Sequence, residues 1–276
     1  MGSDRVSGYV AGKPRIAYDR RGAGPLVVFL HGIGGNRTNW HDQLPAFAQH
    51  YTAVAWDARG YGESEDYDGP LEFSAFSADL ARLLDHLRVQ RAHLVGLSMG
   101  GRIAQHFYFA NTKRVATLTL ADTHAGFAHL SPAQRTAYLQ ARREPLVAGE
   151  TPRDIAPGLA ARLAGPAAGE GIRRRLIDSI AALRKDSYLK ALEATVSQTH
   201  IGSLSDIRAP THLVVGEHDR LTTPELMREM AREIPNACFT VIDGAGHLSN
   251  IEKPCAFNAA TLAFLADHRD LADTPR

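Results

Sequence analysis

The sequence predicts an α/β fold: a mostly parallel central sheet with helices on both faces and an inserted helical lid. Short, largely apolar runs predict the sheet. Residues 26–30, 52–56, 92–97, 115–120 and 211–215 are apolar without strict alternation, the pattern of strands buried on both faces. Helical spacing between them predicts the covering layers. Phe76, Leu80, Leu83, Leu84 and Leu87 fall on one face over three turns. A break in this rhythm predicts the insertion, because residues 125–201 contain no convincing strand pattern.

Taken in order, residues 6–20, broken by Gly8, Gly12 and Pro14, read as a hairpin at a sheet edge. Residues 21–25 form a turn before the first buried strand. Trp40, Leu44 and Phe47 set a helix over 40–50 despite Pro45. The strand at 52–56 runs into a polar loop in which Asp57 is expected to be braced by Arg59. The strand at 92–97 feeds a helix carrying Ile103, Ala104 and Phe107, and the strand at 115–120 ends at Asp122. Helical stretches rich in Ala, Leu and Arg follow, broken at Pro145, Pro152, Pro157 and Pro166. Alternation resumes with a strand at 211–215, a helix from Pro224, a last strand at 238–242 and a closing helix at 255–266. Residues 1–124 and 202–276 therefore form the core domain and residues 125–201 the lid. Sites in open α/β sheets lie at the strand C-termini, where this insertion leaves and returns. It is expected to close over the site and shape the pocket.

The chain has 276 residues, with 31 Lys and Arg against 30 Asp and Glu. Such a balance recruits neither nucleic acid nor an acidic membrane surface. No apolar run approaches the roughly 20 residues that cross a bilayer, and residues 1–6 carry no hydrophobic signal or myristoylation pattern. The 2 cysteines, Cys238 and Cys255, make no disulfide framework and no metal spacing. The expectation is a cytoplasmic protein that needs no cofactor and acts on a small molecule.

The chemistry centres on Gly96-Leu97-Ser98-Met99-Gly100, a nucleophile elbow between a strand and a helix. The sharp turn exposes Ser98, and the flanking glycines leave no side chains to obstruct it. The helix starting there aims free N–H groups at the hydroxyl, so Met99 N–H is the first oxyanion donor. The glycine-rich turn His31-Gly32-Ile33-Gly34-Gly35 would supply the second. It lacks the Gly-Lys-Ser/Thr ending of a phosphate loop. A serine hydroxyl needs a base, and the base needs an orienting acid. One candidate of each type ends successive strands: Ser98, Asp219 and His247. Asp122 is the alternative acid. His31 reads as a turn-forming residue, and His218 lies outside the glycine loop that carries His247.

Three segments carry a family resemblance: His93 to Gly101, Ile207 to Asp219, and Gly246-His247-Leu248-Ser249-Asn250-Ile251-Glu252-Lys253-Pro254. Through them the chain resembles the α/β-hydrolases from residue 26 to 265, and more narrowly the 3-oxoadipate enol-lactonases and related carboxylesterases. The resemblance implies Ser98, Asp219 and His247 as triad, and Ile33 and Met99 as oxyanion donors. It departs at His31-Gly32-Ile33-Gly34-Gly35, which has the general esterase form. The expected activity is cleavage of a small carboxylic ester or lactone. The alternatives are a carbon–carbon bond hydrolase of a ring-cleavage product and a hydrolase-fold ligand-binding protein with little turnover. The lid arginines Arg135, Arg142, Arg143, Arg162 and Arg173 to Arg175 read as solvated helix faces, and Arg102 as a brace for the lid or a loop.

Overall fold

The computed structural model describes residues 5–128, 130–199 and 201–275. Residues 1–4, part of the terminus read for targeting signals, lie outside the described residues. Among the described residues, eight strands form one sheet: β1 (Val6–Val10), β2 (Ile16–Arg21), β3 (Leu26–Leu30), β4 (Thr52–Trp56), β5 (Ala92–Leu97), β6 (Val115–Ala121), β7 (Thr211–Gly216) and β8 (Cys238–Ile242). Their order is β1-β2-β4-β3-β5-β6-β7-β8. The predicted hairpin is the antiparallel pair β1 and β2 at one edge, and β2 joins β4 antiparallel. All remaining pairings are parallel. Leu30 lies beside Gly96 and Leu97 beside Ala121. The C-terminal ends of β3, β5 and β6 therefore finish side by side, where the glycine turn and the elbow begin.

The helices are α1 (Gln43–Phe47), α2 (Ser74–His86), α3 (Met99–Ala110), α4 (Pro132–Val147), α5 (Pro152–Leu163), α6 (Glu170–Ala181), α7 (Lys185–Ser197), α8 (Pro224–Glu233), α9 (Ser249–Glu252) and α10 (Pro254–Ala266). Successive residues of β3 point to opposite faces. Val28 and Leu30 pack in one core with Phe76 and Leu80 of α2 and Ile103 and Phe107 of α3. Val27 and Phe29 pack in a second with Phe47 of α1 and Phe257 and Leu265 of α10. Burial on both faces is why these strands carry no polar alternation. At about 1.5–3 kcal/mol per fully buried large side chain, both faces contribute to holding the strand ends in place.

Two local expectations are corrected. The helix expected over 40–50 is a 3-10 turn at Arg37–Trp40 followed by the short α1. Trp40, Leu44 and Phe47 nonetheless share the second core, and Pro45 sits in the first turn of α1, where no intrahelical N–H is needed. Pro145 and Pro157 do not break helices but lie inside α4 and α5. Each removes a bond to the carbonyl four residues back. Those carbonyls belong to Ala141 and Arg153, both exposed. Helices α4 to α7 fill the interval between β6 and β7, with no strand among the described residues there.

Candidate active site

The elbow is built by backbone crowding. Ser98 has φ 53° and ψ −117°, a conformation costly for a residue with a side chain. A Cβ added at Gly96 would overlap the Gly100 carbonyl, and one at Gly100 would overlap the Leu30 carbonyl. Only glycine fits either position, because β5, the turn and α3 approach within backbone contact. Ser98 N–H donates to Ala121 O at 2.9 Å, and Thr123 Oγ1 donates to Ser98 O at 2.6 Å. The strained residue is thus held from both sides.

Ser98 Oγ lies 3.0 Å from His247 Nε2, and His247 Nδ1 lies 2.8 Å from Asp219 Oδ2. Thr222 Oγ1 donates to the same oxygen at 2.6 Å, while the N–H groups of Leu221 and Thr222 donate to Asp219 Oδ1 at 2.8 and 3.0 Å. Burial would raise the Asp219 carboxyl, but the charge and hydrogen bond of His247 and the Thr222 donors outweigh it and hold the pKa below the ordinary value. For His247 the balance runs the other way. Burial would lower the imidazole pKa, and the Asp219 carboxylate raises it above the ordinary value. His247 N–H donates to Leu163 O at the end of α5 at 2.9 Å, and Gly165 N–H donates to Glu252 Oε2 at 2.8 Å. The histidine loop is therefore fastened to the inserted helices.

Ile33 and Met99 border the same cavity as Ser98 and His247, and the hydrogen-bond network of the described residues occupies neither backbone N–H. The cavity holds about 270 Å3. Ile33, Phe127, Leu159, Leu163, Ile180 and Leu248 make much of its wall. Arg102, Arg142 and Arg162 also line it, and no Asp or Glu does among the described residues. No cluster of three or more His, Cys, Asp or Glu among the described residues could hold a metal ion. No helix among the described residues is long and apolar enough to cross a membrane.

The model of the alpha/beta hydrolase fold matches residues 25–254. This chain is a member of the α/β-hydrolase family. It is 29% identical to 3-oxoadipate enol-lactonase 2 of Acinetobacter baylyi over 244 residues, 87% of this chain and 88% of that one. Its structure is similar to a thermophilic esterase from Thermogutta terrifontis, with TM-score 0.86, 29% identity and coverage of 97% and 100% of the two chains. It is also similar to the enol-lactonase from Burkholderia xenovorans LB400, with TM-score 0.82, 26% identity and coverage of 94% and 100%.

Within this α/β-hydrolase, the other expected groups separate cleanly. His31 is buried, and its ring bonds to groups other than Ser98, Asp219 and His247. Its Nδ1–H donates to Gly32 O at 2.8 Å and its Nε2 accepts from Ala58 N–H at 3.0 Å, and burial lowers its pKa, which keeps it neutral. His218 is exposed and faces Glu217. Asp122 makes no hydrogen bond to His247; it accepts from Gly216 N–H and from Ser249. Asp57 is braced by Arg37, not by Arg59. It accepts from the Arg37 guanidinium and from the N–H groups of Arg37 and Glu63, whereas Arg59 pairs with Asp79 at 2.7 Å. Arg102 does brace the insertion. It is fully buried, donates to the Thr195 and Gln198 carbonyls at the end of α7, and lies over the Phe73 and Phe127 rings. Burial lowers its pKa to about 10, so it remains a cation.

Of the insertion's arginines read as solvated, Arg142 and Arg162 also border the cavity: Arg142 is half-buried there, whereas Arg162 stays exposed. Arg175 pairs with Asp42, Arg143 with Glu193 and Arg174 with Glu170, while Arg135 and Arg173 donate to nearby carbonyls. Thr222, the partner of Asp219, was also missed. Its local signal is an Asp whose oxygen accepts from N–H groups two and three residues on, an Asx-type turn. For the arginines the sequence offers no comparable signal, because α4 and α5 carry no sharp apolar stripe.

Proposed function

We propose that this chain is a serine hydrolase that cleaves a small carboxylic ester or lactone through an acyl-enzyme. The observation that carries the reading is the Ser98–His247–Asp219 chain of contacts, 3.0 and 2.8 Å long, bordering a cavity of about 270 Å3. His247 Nε2 takes the Ser98 proton as Oγ attacks the carbonyl carbon. The Met99 and Ile33 N–H groups receive the oxyanion, each contributing about 3 kcal/mol to lowering the barrier. Asp219 fixes the Nδ1–H tautomer and stabilises the imidazolium. His247 then returns the proton to the leaving alcohol. Water, deprotonated by the same imidazole, releases the acid. Residues 125–201 act as a lid over a core of residues 1–124 and 202–276, excluding water from the acyl-enzyme. Two exposed free cysteines, Cys238 and Cys255, suit a reducing cytoplasm.

The cationic wall supports a substrate that carries a carboxylate in addition to the scissile ester. Arg142→Ala and Arg162→Ala are each expected to raise KM for a carboxylate-bearing ester about 10-fold or more. KM for a neutral ester of the same size should move less than about threefold. Equal changes for both esters would remove the arginines from recognition.

The pH profile follows from the raised His247 pKa. The base works only when neutral, so activity falls as pH drops through its pKa. The acid limb of kcat/KM is expected to have its midpoint above the ordinary imidazole value of about 6.5. A midpoint below it would mean that the Asp219 charge does not govern the imidazole. The overall reading is tested by turnover on a panel of simple esters and lactones. No hydrolysis of any of them would overturn it.

A further inference from the structure

Asp122 is a buried acid that the reaction above does not use. It stands at the end of β6, one strand over from the elbow, and is fully buried. Its φ is 44°, the left-handed region that Asp tolerates better than most residues. Its two oxygens face different loops. Oδ1 accepts from Gly216 N–H at 2.8 Å, three residues before Asp219. Oδ2 accepts from Ser249 N–H at 3.2 Å and meets Ser249 Oγ at 2.5 Å, two residues after His247. One carboxyl therefore spans the loop that carries the acid and the loop that carries the base. Those loops come from separate strands, 28 residues apart between Asp219 and His247.

We propose that Asp122 is a positioning residue that clamps the Asp219 loop to the His247 loop and so sets the acid–base contact. The inference rests on the Ser98–His247–Asp219 reading above. The chemistry of the two donors explains why a carboxyl stands here. Gly216 N–H and Ser249 N–H can only donate, so both oxygens must accept. An amide in the same place would turn its NH2 toward one of them and break one tether. The Ser249 hydroxyl completes the device, since it can donate to the carboxylate or accept from the carboxylic acid. Both tethers to backbone N–H thus survive either protonation state. This suits the surroundings, because burial and then the charge on Asp219 push the Asp122 carboxyl up to about 8, against the opposing pull of His247. A clamp that depended on ionisation would loosen near neutral pH.

The experiment compares the wild-type chain with Asp122→Asn and Ser249→Ala. Three quantities are read: the rate of labelling by a fluorophosphonate, the low-field proton resonance of His247 Nδ1–H, and the thermal unfolding midpoint. Asp122→Asn is expected to label about 10–100-fold more slowly, as a small misplacement of a reacting group would, and its Nδ1–H resonance should shift or broaden. Ser249→Ala keeps the Ser249 N–H tether. It should show the same resonance change with a smaller loss of rate. If Asp122→Asn folds, labels within about twofold of wild type and leaves the resonance in place, Asp122 is a packing group and the clamp is refuted. If Asp122→Asn does not fold, Ser249→Ala decides by the same criteria. If wild type itself takes no label, the hydrolase reading fails, and the resonance alone then supports or refutes the clamp.

Discussion

Ser98→Ala is expected to lower kcat/KM on any ester substrate by about 10^5-fold or more, the loss seen when the nucleophile of such a unit is removed. The fold should survive. Alanine keeps the Cβ at φ 53° and removes only an oxygen whose partners are His247 and the cavity. The turn is held by main-chain and Thr123 contacts that do not involve Oγ. The check is intact mass after exposure to a fluorophosphonate, followed by turnover of a simple ester. Wild type should gain one adduct and Ser98→Ala none, with unfolding midpoints within a few degrees of each other. A labelled Ser98→Ala would place the reactive group elsewhere and defeat the assignment. An unlabelled wild type would mean that the hydroxyl is not activated, and the chain would then bind its ligand without turning it over.

Asp219→Asn is expected to reduce kcat about 10^4-fold with little change in KM, because it inverts the histidine's tautomer. The geometry leaves the amide little choice of orientation. Leu221 and Thr222 N–H groups point at the Oδ1 position, so the amide oxygen settles there and the NH2 faces His247 Nδ1. That nitrogen must then accept, the imidazole proton moves to Nε2, and Nε2 can no longer receive the Ser98 proton. Thr222 Oγ1, which donates to Oδ2, can turn to accept from the new NH2, so stability should change by about 1 kcal/mol or less. Steady-state kinetics at the pH optimum decide it. A fall of less than about 10-fold would remove Asp219 from the acid's role. Asp122→Asn should cost less by about two orders of magnitude than Asp219→Asn, because Asp122 acts on the imidazole only through loops.

The fold was readable wherever burial leaves no room for alternatives. Strand β3 announces itself because both of its faces meet apolar layers, so no polar residue interrupts Leu26–Leu30. The elbow announces itself because Gly96 and Gly100 are demanded by neighbouring carbonyls. The grouping of Ser98, Asp219 and His247 could be anticipated because each sits just past a strand end, and parallel strands deliver their ends to one side. Partners set by distant packing were not readable. Asp57 looked to Arg59 two residues on, but Arg37 reaches it from the turn after β3. The arginines at the cavity's border were hidden for a related reason. In α4 and α5 the mixture of Ala, Leu and Arg gives no sharp apolar stripe, so the sequence does not say which face turns to the core.

The bond from His247 N–H to Leu163 O, with the Gly165 to Glu252 contact beside it, has a bearing on engineering and on divergence. The inserted helices and the loop that carries His247 share a joint at residues 163–165. Gly165 and Gly246 approach so closely there that a side chain on either would strike the other's backbone. Helices grafted from a relative to change selectivity must therefore bring a compatible joint, or the imidazole will drift from the serine. On the serine-hydrolase reading proposed above, the last turn of α5 would belong as much to the support of the imidazole as to the pocket wall.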